Sequence, residues 1–277
     1  MIFRKRTIPD EEIMTLKEQR SMLGDQLNFA AAEAYKLLRA NLTFSLPDEQ
    51  KCRVVGVTSA VRGEGKSTTS INLAYTLAET GKRVLLVEAD MRRPQLAHRL
   101  AIDAAPGLSN LLAGLCREKD VVQDVGLLEN MKVITSGDVP PNPSELLGSE
   151  RMSTVVETLA QSFDFIIFDL PPVNAVSDGL VVSRFIQGMI VVVRQDYSDR
   201  QGLSAALRQL EYMHIKVLGF VMTHSSISGG RYGRYGRYGR YGRYGQYGRY
   251  ESESREAGAD QERARKTGSA KSRKSKR

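Results

Sequence analysis

Short apolar runs separated by helical stretches recur along most of the chain. They occupy residues 53–59, 83–89, 131–136, 163–170, 188–194 and 216–222. Each run is rich in Val and Ile and is apolar on both faces of an extended backbone, which is typical of strands buried between helices. The pattern therefore predicts an α/β fold with a mostly parallel central sheet flanked by helices.

A helix is predicted ahead of the first run, over about residues 30–44. The segment AAAEAYKLLRANLTF is rich in Ala and Leu, which favour helix. An apolar stripe recurs along it at helical spacing, formed by Ala34, Leu37, Leu38 and Leu42. Residues 1–28 are polar and mixed in charge, and we interpret them as an N-terminal arm. The main domain is predicted over residues 29–228 and a tail over residues 229–277.

The tail contains a tyrosine repeat, RYGRYGRYGRYGRYGQYGRY. Its tyrosines are Tyr232, Tyr235, Tyr238, Tyr241, Tyr244, Tyr247 and Tyr250. Glycine at every third position disfavours regular structure, so the tail is predicted to be disordered and to present its tyrosines rather than bury them. Two interpretations fit the repeat when it is taken alone: a substrate segment, or a low-complexity arm that stacks on nucleic acid.

The charge of the chain is concentrated in this tail. The whole sequence carries a net charge of +8, but 15 Lys or Arg against 5 Asp or Glu lie from Gly229 onward, which leaves −2 for residues 1–228. A near-neutral domain disfavours a nucleic-acid-binding core. The basic tail is instead expected to contact an acidic protein surface or anionic lipid at the membrane.

Cysteine and histidine usage gives no sign of a metal centre or a disulfide framework. Cys52 and Cys116 fit no metal spacing, so we interpret both as small buried residues in a reducing compartment. The longest apolar run, GMIVVV at 188–193, is too short to span a membrane, and the N-terminus lacks a secretory segment. We therefore expect a cytoplasmic protein that is at most peripheral to a membrane.

A phosphate-binding loop follows the first predicted strand, in AVRGEGKST at 60–68. Gly63 and Gly65 allow backbone amides to surround phosphate oxygens, Lys66 reaches the β- and γ-phosphates, and the Ser67 hydroxyl can bind Mg²⁺. Strand, loop and helix in this order predict a P-loop NTPase-type domain that binds ATP and Mg²⁺. The predicted nucleotide-binding residues are Arg62, Gly63, Glu64, Gly65, Lys66, Ser67 and Thr68.

Three acidic residues are predicted beside this loop. Glu88 and Asp90 end the second apolar run and are expected to project from the same side of an extended strand. Asp169 closes a buried run, FIIFD, as a Walker B acid does, where it can hold Mg²⁺ through water. The carboxyl ends of parallel strands converge on the ligand crevice. The predicted metal-binding residues are Ser67, Asp90 and Asp169.

Together these motifs resemble the bacterial tyrosine autokinases that regulate capsule and exopolysaccharide synthesis. The resemblance covers about residues 30–225 and the tyrosine-rich tail, and its elements are EAYKLLRANL, GEGKST, EADMRRP, PPNPSELL and FDLPPV. It implies an ATP-dependent protein-tyrosine kinase, with basal ATPase activity, that phosphorylates its own C-terminal tyrosines mainly in trans within an oligomer. By that activity it would control polymerisation or export of a polysaccharide.

The resemblance also implies roles for the acidic residues and Lys66. Lys66 and Ser67 would bind ATP and Mg²⁺, Asp90 and Asp169 would support the metal and phosphates, and the acid at position 88 would accept the tyrosine proton. The family usually has Asp where this chain has Glu88. The base is therefore Glu88 or Asp90, and Glu88, Asp90 and Lys66 are the predicted catalytic residues.

Two further departures concern the loop and the subunit contacts. Arg62 stands where the family usually has Pro, and its charge is placed to touch a phosphate. Glu33, Lys36 and Arg39 form an ExxRxxR-like element that carries subunit contacts in the family, so a ring-like homo-oligomer is implied. Lys36 replaces an arginine there, which keeps the charge and loses the bidentate fork.

The resemblance implies partners as well. The expected activator is a separate transmembrane polysaccharide co-polymerase, which would hold the kinase at the inner face of the cell membrane. A cognate tyrosine phosphatase and peripheral membrane contact through the basic tail are also expected, whereas nucleic acid is not.

Two other functions fit part of the sequence. Partition and division-site ATPases share the P-loop and bind DNA or membrane without phosphorylating protein, but their deviant loop has Lys at the position of Val61. A degenerate ATPase whose YGR arm binds RNA would not be expected to keep Lys66, Ser67, Asp90 and Asp169.

Overall fold

The computed structural model describes residues 22–46 and 51–225. Within these residues seven strands form one sheet, in the order β3-β4-β2-β5-β1-β6-β7. Neighbouring strands are parallel except for β3, which runs antiparallel to β4 at one edge. The strands are β1 (Arg53–Ser59), β2 (Val84–Glu88), β3 (Gln123–Asp124), β4 (Met131–Ile134), β5 (Phe165–Asp169), β6 (Met189–Arg194) and β7 (Val217–Thr223).

Helices connect the strands, and several begin at a capping side chain. Asn28, Ser149 and Asp199 each accept a hydrogen bond from a first-turn backbone N–H, which satisfies a donor that has no partner within its helix. The helices are α1 (Phe29–Ser45), α2 (Lys66–Ala78), α3 (Leu96–Leu100), α4 (Leu108–Leu112), α5 (Glu118–Val121), α6 (Pro143–Leu147), α7 (Glu150–Ser162), α8 (Asp178–Val182) and α9 (Arg200–Tyr212), with 3₁₀ turns at Gly24–Gln26 and Ser183–Phe185.

Apolar side chains are buried on both faces of the sheet. In β5, Ile166 and Phe168 enter one hydrophobic cluster while Phe165 and Ile167 enter the cluster on the opposite face. Every residue of β5 is buried. Each fully buried side chain of this size contributes about 1.5–3 kcal/mol relative to exposure. Burial on both faces explains why the runs lack the alternation of a half-exposed sheet.

The predicted fold class is confirmed, and all six predicted strands are present with ends shifted by at most two residues. The sequence missed β3, because its two residues are polar and partly or fully exposed at the sheet edge. The predicted helix at 30–44 is α1, but its apolar stripe is only partly covered. Leu42 is buried, whereas Ala34 is exposed and Leu37 is 60% exposed.

Residues just before α1 pack on the domain, although the sequence assigned them to the polar arm. Leu23 and Gly24 are buried. Asn72 of α2 accepts a hydrogen bond from the Gly24 amide at 2.9 Å and donates one to the Met22 carbonyl at 2.9 Å. Cys52 is buried as predicted, and Cys116 is half-buried.

Three sequence predictions lie wholly or partly outside the described residues: the N-terminal arm, of which residues 1–21 are not described, the tail with its tyrosine repeat, and the end of the domain near residue 228. Across 22–46 and 51–225, every helix is too short or too polar to cross a membrane.

Candidate active site

The loop between β1 and α2 has the backbone shape that phosphate binding requires. Gly63 and Gly65 adopt left-handed conformations, with φ of 78° and 93°, which glycine accepts at little cost. Gly65 is the N-cap of α2, so the free amides and positive end of that helix open onto the loop. Arg62 is exposed on this loop and Thr68 is half-buried.

Glu64 holds the loop in place from the inside. Its side chain is fully buried, and Oε2 accepts a hydrogen bond from the Val61 amide at 2.9 Å. The other carboxylate oxygen accepts from the Ser198 hydroxyl, and the Glu64 carbonyl accepts from Thr223 Oγ1 at 2.7 Å. The sequence placed Glu64 among nucleotide-binding residues, whereas its carboxylate is occupied in shaping the loop.

Lys66 lies beside one of the predicted acids. Its Nζ is 3.0 Å from Asp90 Oδ2, and both side chains are largely buried. Burial by itself lowers the pKa of Lys66, but the charges of Asp169 and Asp90 outweigh it and raise the pKa above its usual 10.5. Lys66 is therefore an ammonium at neutral pH and can neutralise phosphate charge. The other Asp90 oxygen accepts from the Arg93 amide at 3.2 Å.

Asp169 at the end of β5 offers a carboxylate oxygen to a ligand. The side chain is fully buried, and Oδ1 accepts from the Ser70 hydroxyl at 3.1 Å. Its Oδ2 is buried and has no hydrogen-bond partner within residues 22–46 and 51–225. Burial raises the pKa of Asp169, while the Lys66 charge and a hydrogen bond from Ser67 act in the opposite direction.

This arrangement fits Mg²⁺ that is held through water and phosphate oxygens. The Ser67 hydroxyl oxygen and the Asp169 Oδ2 atom are the oxygen ligands that such an ion would use. In the part of the chain that the structure describes, no group of three His, Cys, Asp or Glu side chains could hold a metal by itself. Mg²⁺ in nucleotide sites usually keeps several waters and needs few protein ligands.

Glu88 contacts backbone amides with both carboxylate oxygens. Oε1 accepts from the Gln95 amide and, at 2.8 Å, from the Leu96 amide at the start of α3. Oε2 accepts from the Ser136 amide at 3.1 Å, after β4. Burial raises the pKa of Glu88, although the three amides oppose this effect. Glu88 therefore ties the ends of β2 and β4 to α3.

Asp90 lies beyond the end of β2, so the expectation that Glu88 and Asp90 project from the same side of one strand stays a prediction that this strand does not test. Strand β2 ends at Glu88, and the chain turns after Asp90, so the alternation of an extended backbone does not apply. The carboxylate of Glu88 contacts amides of α3 and of the segment after β4. The carboxylate of Asp90 contacts Lys66.

Two glycines let the segment after β4 pass close to the start of α4. Gly137 has a φ of 81°, and a Cβ there would lie 2.4 Å from Asn110 Oδ1. That oxygen accepts from the amides of Gly107 at 3.0 Å and Asp138 at 3.2 Å. This packing fixes the position of Ser136 and so of the Glu88 contact.

The PPNPSELL and EADMRRP motifs meet at a buried acid that the sequence did not single out. Asp178 is fully buried, and Arg92 donates to it from Nε at 2.7 Å and from a terminal nitrogen at 3.2 Å. The Ser144 hydroxyl donates to the same carboxylate. A lone Asp in SDGL carried no motif that could have revealed this contact.

Residues at the ends of β6 and β7 also contact the P-loop and were missed. Arg194 donates to the Gly63 carbonyl at 3.1 Å and lies over the Tyr197 ring at 4.9 Å. The Tyr197 hydroxyl is 3.2 Å from the point that a Cβ on Gly63 would occupy. Sequence reasoning could have found this segment, because it follows a predicted parallel strand at the carboxyl edge of the sheet.

The predicted subunit-contact residues on α1 do not all face the same way. Glu33 and Lys36 form an exposed ion pair at 2.8 Å. Arg39 instead donates to the Thr76 carbonyl of α2 at 2.6 Å and lies 4.0 Å from Glu79.

Comparison with known proteins identifies relatives over most of the described chain. Residues 52–218 match the AAA domain family. The chain is 34% identical over 197 residues to the tyrosine-protein kinase YwqD of Bacillus subtilis, which covers 71% of this chain and 82% of that protein. It is 32% identical over 203 residues to the putative tyrosine-protein kinase CapB of Staphylococcus aureus, which covers 73% and 88%.

Two solved structures also match this chain in fold and in sequence. The chimerical protein CapA2B2 superposes with a TM-score of 0.69 at 31% identity, covering 74% of this chain and 89% of that one. The kinase domain of Escherichia coli tyrosine kinase ETK superposes with a TM-score of 0.68 at 30% identity, covering 81% and 85%.

Proposed function

Because this chain belongs to the bacterial tyrosine-protein kinases and contains an AAA domain, we propose that it transfers phosphoryl groups from ATP to the tyrosines of its own tail. The observation that carries this proposal is the ion pair between Lys66 of the P-loop and Asp90, in a chain that also holds seven regularly spaced tyrosines. The name of the CapB relative supports a role in capsule or exopolysaccharide synthesis.

The geometry supports a mechanism based on positioning and charge neutralisation. Phosphoryl transfer needs little covalent help from the protein, because its transition state is stabilised mainly by charge and alignment. The amides of residues 63–68 would surround the phosphates, and Lys66 would move from Asp90 to the β- and γ-phosphates. Ser67 and Asp169 would hold Mg²⁺, which would supply charge neutralisation at the phosphates.

We assign the role of base to Asp90 rather than Glu88. Both Glu88 oxygens accept hydrogen bonds from backbone amides, so a tyrosine hydroxyl would have to displace one of them. Asp90 lies beside Lys66, and the approach of Lys66 to ATP would free its Oδ2. Glu88 is one methylene longer than the usual Asp, and that length lets it bridge α3 and Ser136.

The tail would then act as a charge switch. Each phosphotyrosine adds about −1.5 to −2 at neutral pH, so seven would add roughly −10 to −14. This change cancels or reverses the balance of 15 basic against 5 acidic residues in the tail. An unmodified tail would bind an acidic neighbour or anionic lipid, and a phosphorylated tail would be repelled.

Transfer mainly to a neighbouring subunit requires an oligomer, and α1 offers a surface for one. Phe29, Leu37 and Phe44 are 58%, 60% and 89% exposed, beside the Glu33–Lys36 pair. Large apolar side chains gathered on one exposed helix favour a protein contact. A Leu37→Glu variant should lower the mass in sedimentation, whereas Leu115→Glu, at an exposed leucine outside α1, should leave it unchanged.

A separate transmembrane co-polymerase remains the activator that we propose, with a cognate tyrosine phosphatase to reverse the reaction. The basic end of the tail would add peripheral contact with the inner face of the membrane. Vesicles with and without anionic lipid, mixed with the full chain before and after phosphorylation, test this contact.

The kinase reaction is tested by complementation. A Lys66→Met chain keeps its tyrosines but should add no phosphate with MgATP, whereas Lys82→Met, at an exposed lysine, should behave as wild type. A second chain with Phe at all seven tail tyrosines keeps the site and lacks the substrate. Mixing it with the Lys66→Met chain should place phosphate on the tail of the latter. Incorporation by Lys66→Met alone, or none in the mixture, would contradict the proposal.

A further inference from the structure

Arg99 is a basic residue of α3 that no sequence motif singled out. Its NH1 group donates to Thr68 Oγ1 at 3.2 Å, which brings it to the first turn of α2 beside the P-loop. The helix that carries Arg99 is held by Glu88, which accepts the amides of Gln95 and Leu96. The guanidinium is therefore presented to the loop by a fixed element.

One donor of this guanidinium has no partner. Arg99 Nε is buried and makes no hydrogen bond to any residue in 22–46 and 51–225. A buried, unpaired donor of a charged group is costly, so its presence indicates a missing acceptor. The Thr68 hydroxyl accepts from Arg99, and its own hydrogen remains free to donate. Two donors thus lie together at the mouth of a phosphate-binding loop.

We propose that Arg99, together with the Thr68 hydroxyl, binds the α-phosphate of the nucleotide. This inference rests on the proposed use of ATP and names a residue that the sequence did not. In a P-loop the backbone amides surround the α- and β-phosphates, Lys66 serves the β- and γ-phosphates and Ser67 the metal, so Arg99 and Thr68 would add side-chain donors at the α-phosphate. An arginine supplies the charge and the planar donors that phosphate oxygens accept.

The proposal predicts a specific pattern of lost affinity. In the full chain, Arg99→Gln should lower the affinity for Mg-ATP, for Mg-ADP and for AMP by the same factor, about 10- to 100-fold, because all three nucleotides carry the α-phosphate. Adenosine, which has none, should bind equally to both proteins. Arg117→Gln, at an exposed arginine far along the chain from the P-loop motif, is the control and should change nothing.

Kinetics and a second variant complete the test. Because the α-phosphate is bound alike in ground and transition states, the KM for ATP should rise while kcat for tail phosphorylation changes less than about 3-fold. Arg99→Lys keeps the charge and loses the planar fork of donors, so its loss of nucleotide affinity should be smaller than that of Arg99→Gln. Arg99→Lys also replaces Arg99→Gln in the test if the latter fails to fold.

Two results would overturn the assignment. If ATP binding weakens and AMP binding does not, Arg99 acts on the β- or γ-phosphate. If no nucleotide weakens, Arg99 serves only to hold Thr68. Failure of the tail-kinase proposal is distinguishable, since a wild-type chain that binds nucleotide without phosphorylating tyrosine still permits the binding comparison.

Discussion

Replacing Glu88 by glutamine separates a structural role from a catalytic one. Gln has nearly the same shape, and its carbonyl can still accept from the amides of Gln95 and Leu96. Its NH₂ group, however, would face the Ser136 amide in place of an oxygen. The side-chain NH₂ group and the Ser136 amide are then two donors facing each other. Because Ser136 is fully buried, water cannot supply the acceptor that they lack.

The expected loss follows from these contacts. An unsatisfied buried N–H costs about 1–3 kcal/mol, and two remaining bonds change from charged to neutral acceptors at roughly 1 kcal/mol each. Removal of a buried carboxylate, whose pKa burial raises, returns part of this energy. We expect Glu88→Gln to lower the free energy of unfolding by about 1–3 kcal/mol.

The assay combines urea unfolding with initial rates of tyrosine phosphorylation. Replacing a residue that only positions others should lower the phosphorylation rate less than about 10-fold while the protein is folded. Replacing the general base should lower it about 10²–10⁴-fold. Asp90→Asn should show the opposite pattern, with a large loss of rate and little loss of stability. Unchanged stability with a rate loss above about 100-fold in Glu88→Gln would refute the reasoning and make Glu88 the base.

Three further predictions concern stability. Gly137→Ala should cost more than about 2 kcal/mol by urea unfolding, because its φ is 81° and its Cβ would overlap Asn110 Oδ1 at 2.4 Å. Asp178→Asn should cost about 1–3 kcal/mol, since it removes the charge of the buried Asp178 and half of its bidentate contact with the partly exposed Arg92, and a loss under about 0.5 kcal/mol would argue against that contact. The pKa of Glu88 is raised above its usual 4.5, so the proton-linked part of its contribution to stability is fully present below that pH and is lost as pH rises through the folded value, while the hydrogen bonds from the three amides remain; the penalty of Glu88→Gln should therefore be larger at about pH 5 than at about pH 8.

Apolar runs and the P-loop were predictable because each depends on local sequence. Strand β5 is buried on both faces, and that burial is visible as FIIF. The Gly63 and Gly65 conformations follow from a pattern of nine residues. Contacts between residues that are distant in the sequence have no local motif that predicts them. Asp178 meets Arg92 across 86 positions and Arg99 meets Thr68 across 31, so neither partner can be recognised without the fold.

Glu88 illustrates why similarity of residue type does not fix a role. The sequence placed an acid at the expected position, but which groups its carboxylate contacts depends on where the chain leaves the strand. Strand β2 ends at Glu88, and the amides at the start of α3 and of Ser136 donate hydrogen bonds to both carboxylate oxygens, which leaves neither oxygen free for a tyrosine hydroxyl.

The bond between Thr223 and the P-loop bears on which proteins the kinase can modify. Thr223 ends β7 and donates to the Glu64 carbonyl, so the chain leaves the last strand at the phosphate loop itself. Tyr232 comes nine positions later, a span of at most about 30 Å. For a tether of that length the effective concentration of an attached substrate is on the order of millimolar. Under the proposed phosphorylation of the tail, a free protein would have to reach a similar concentration, or dock elsewhere on the kinase, to compete with the tail tyrosines.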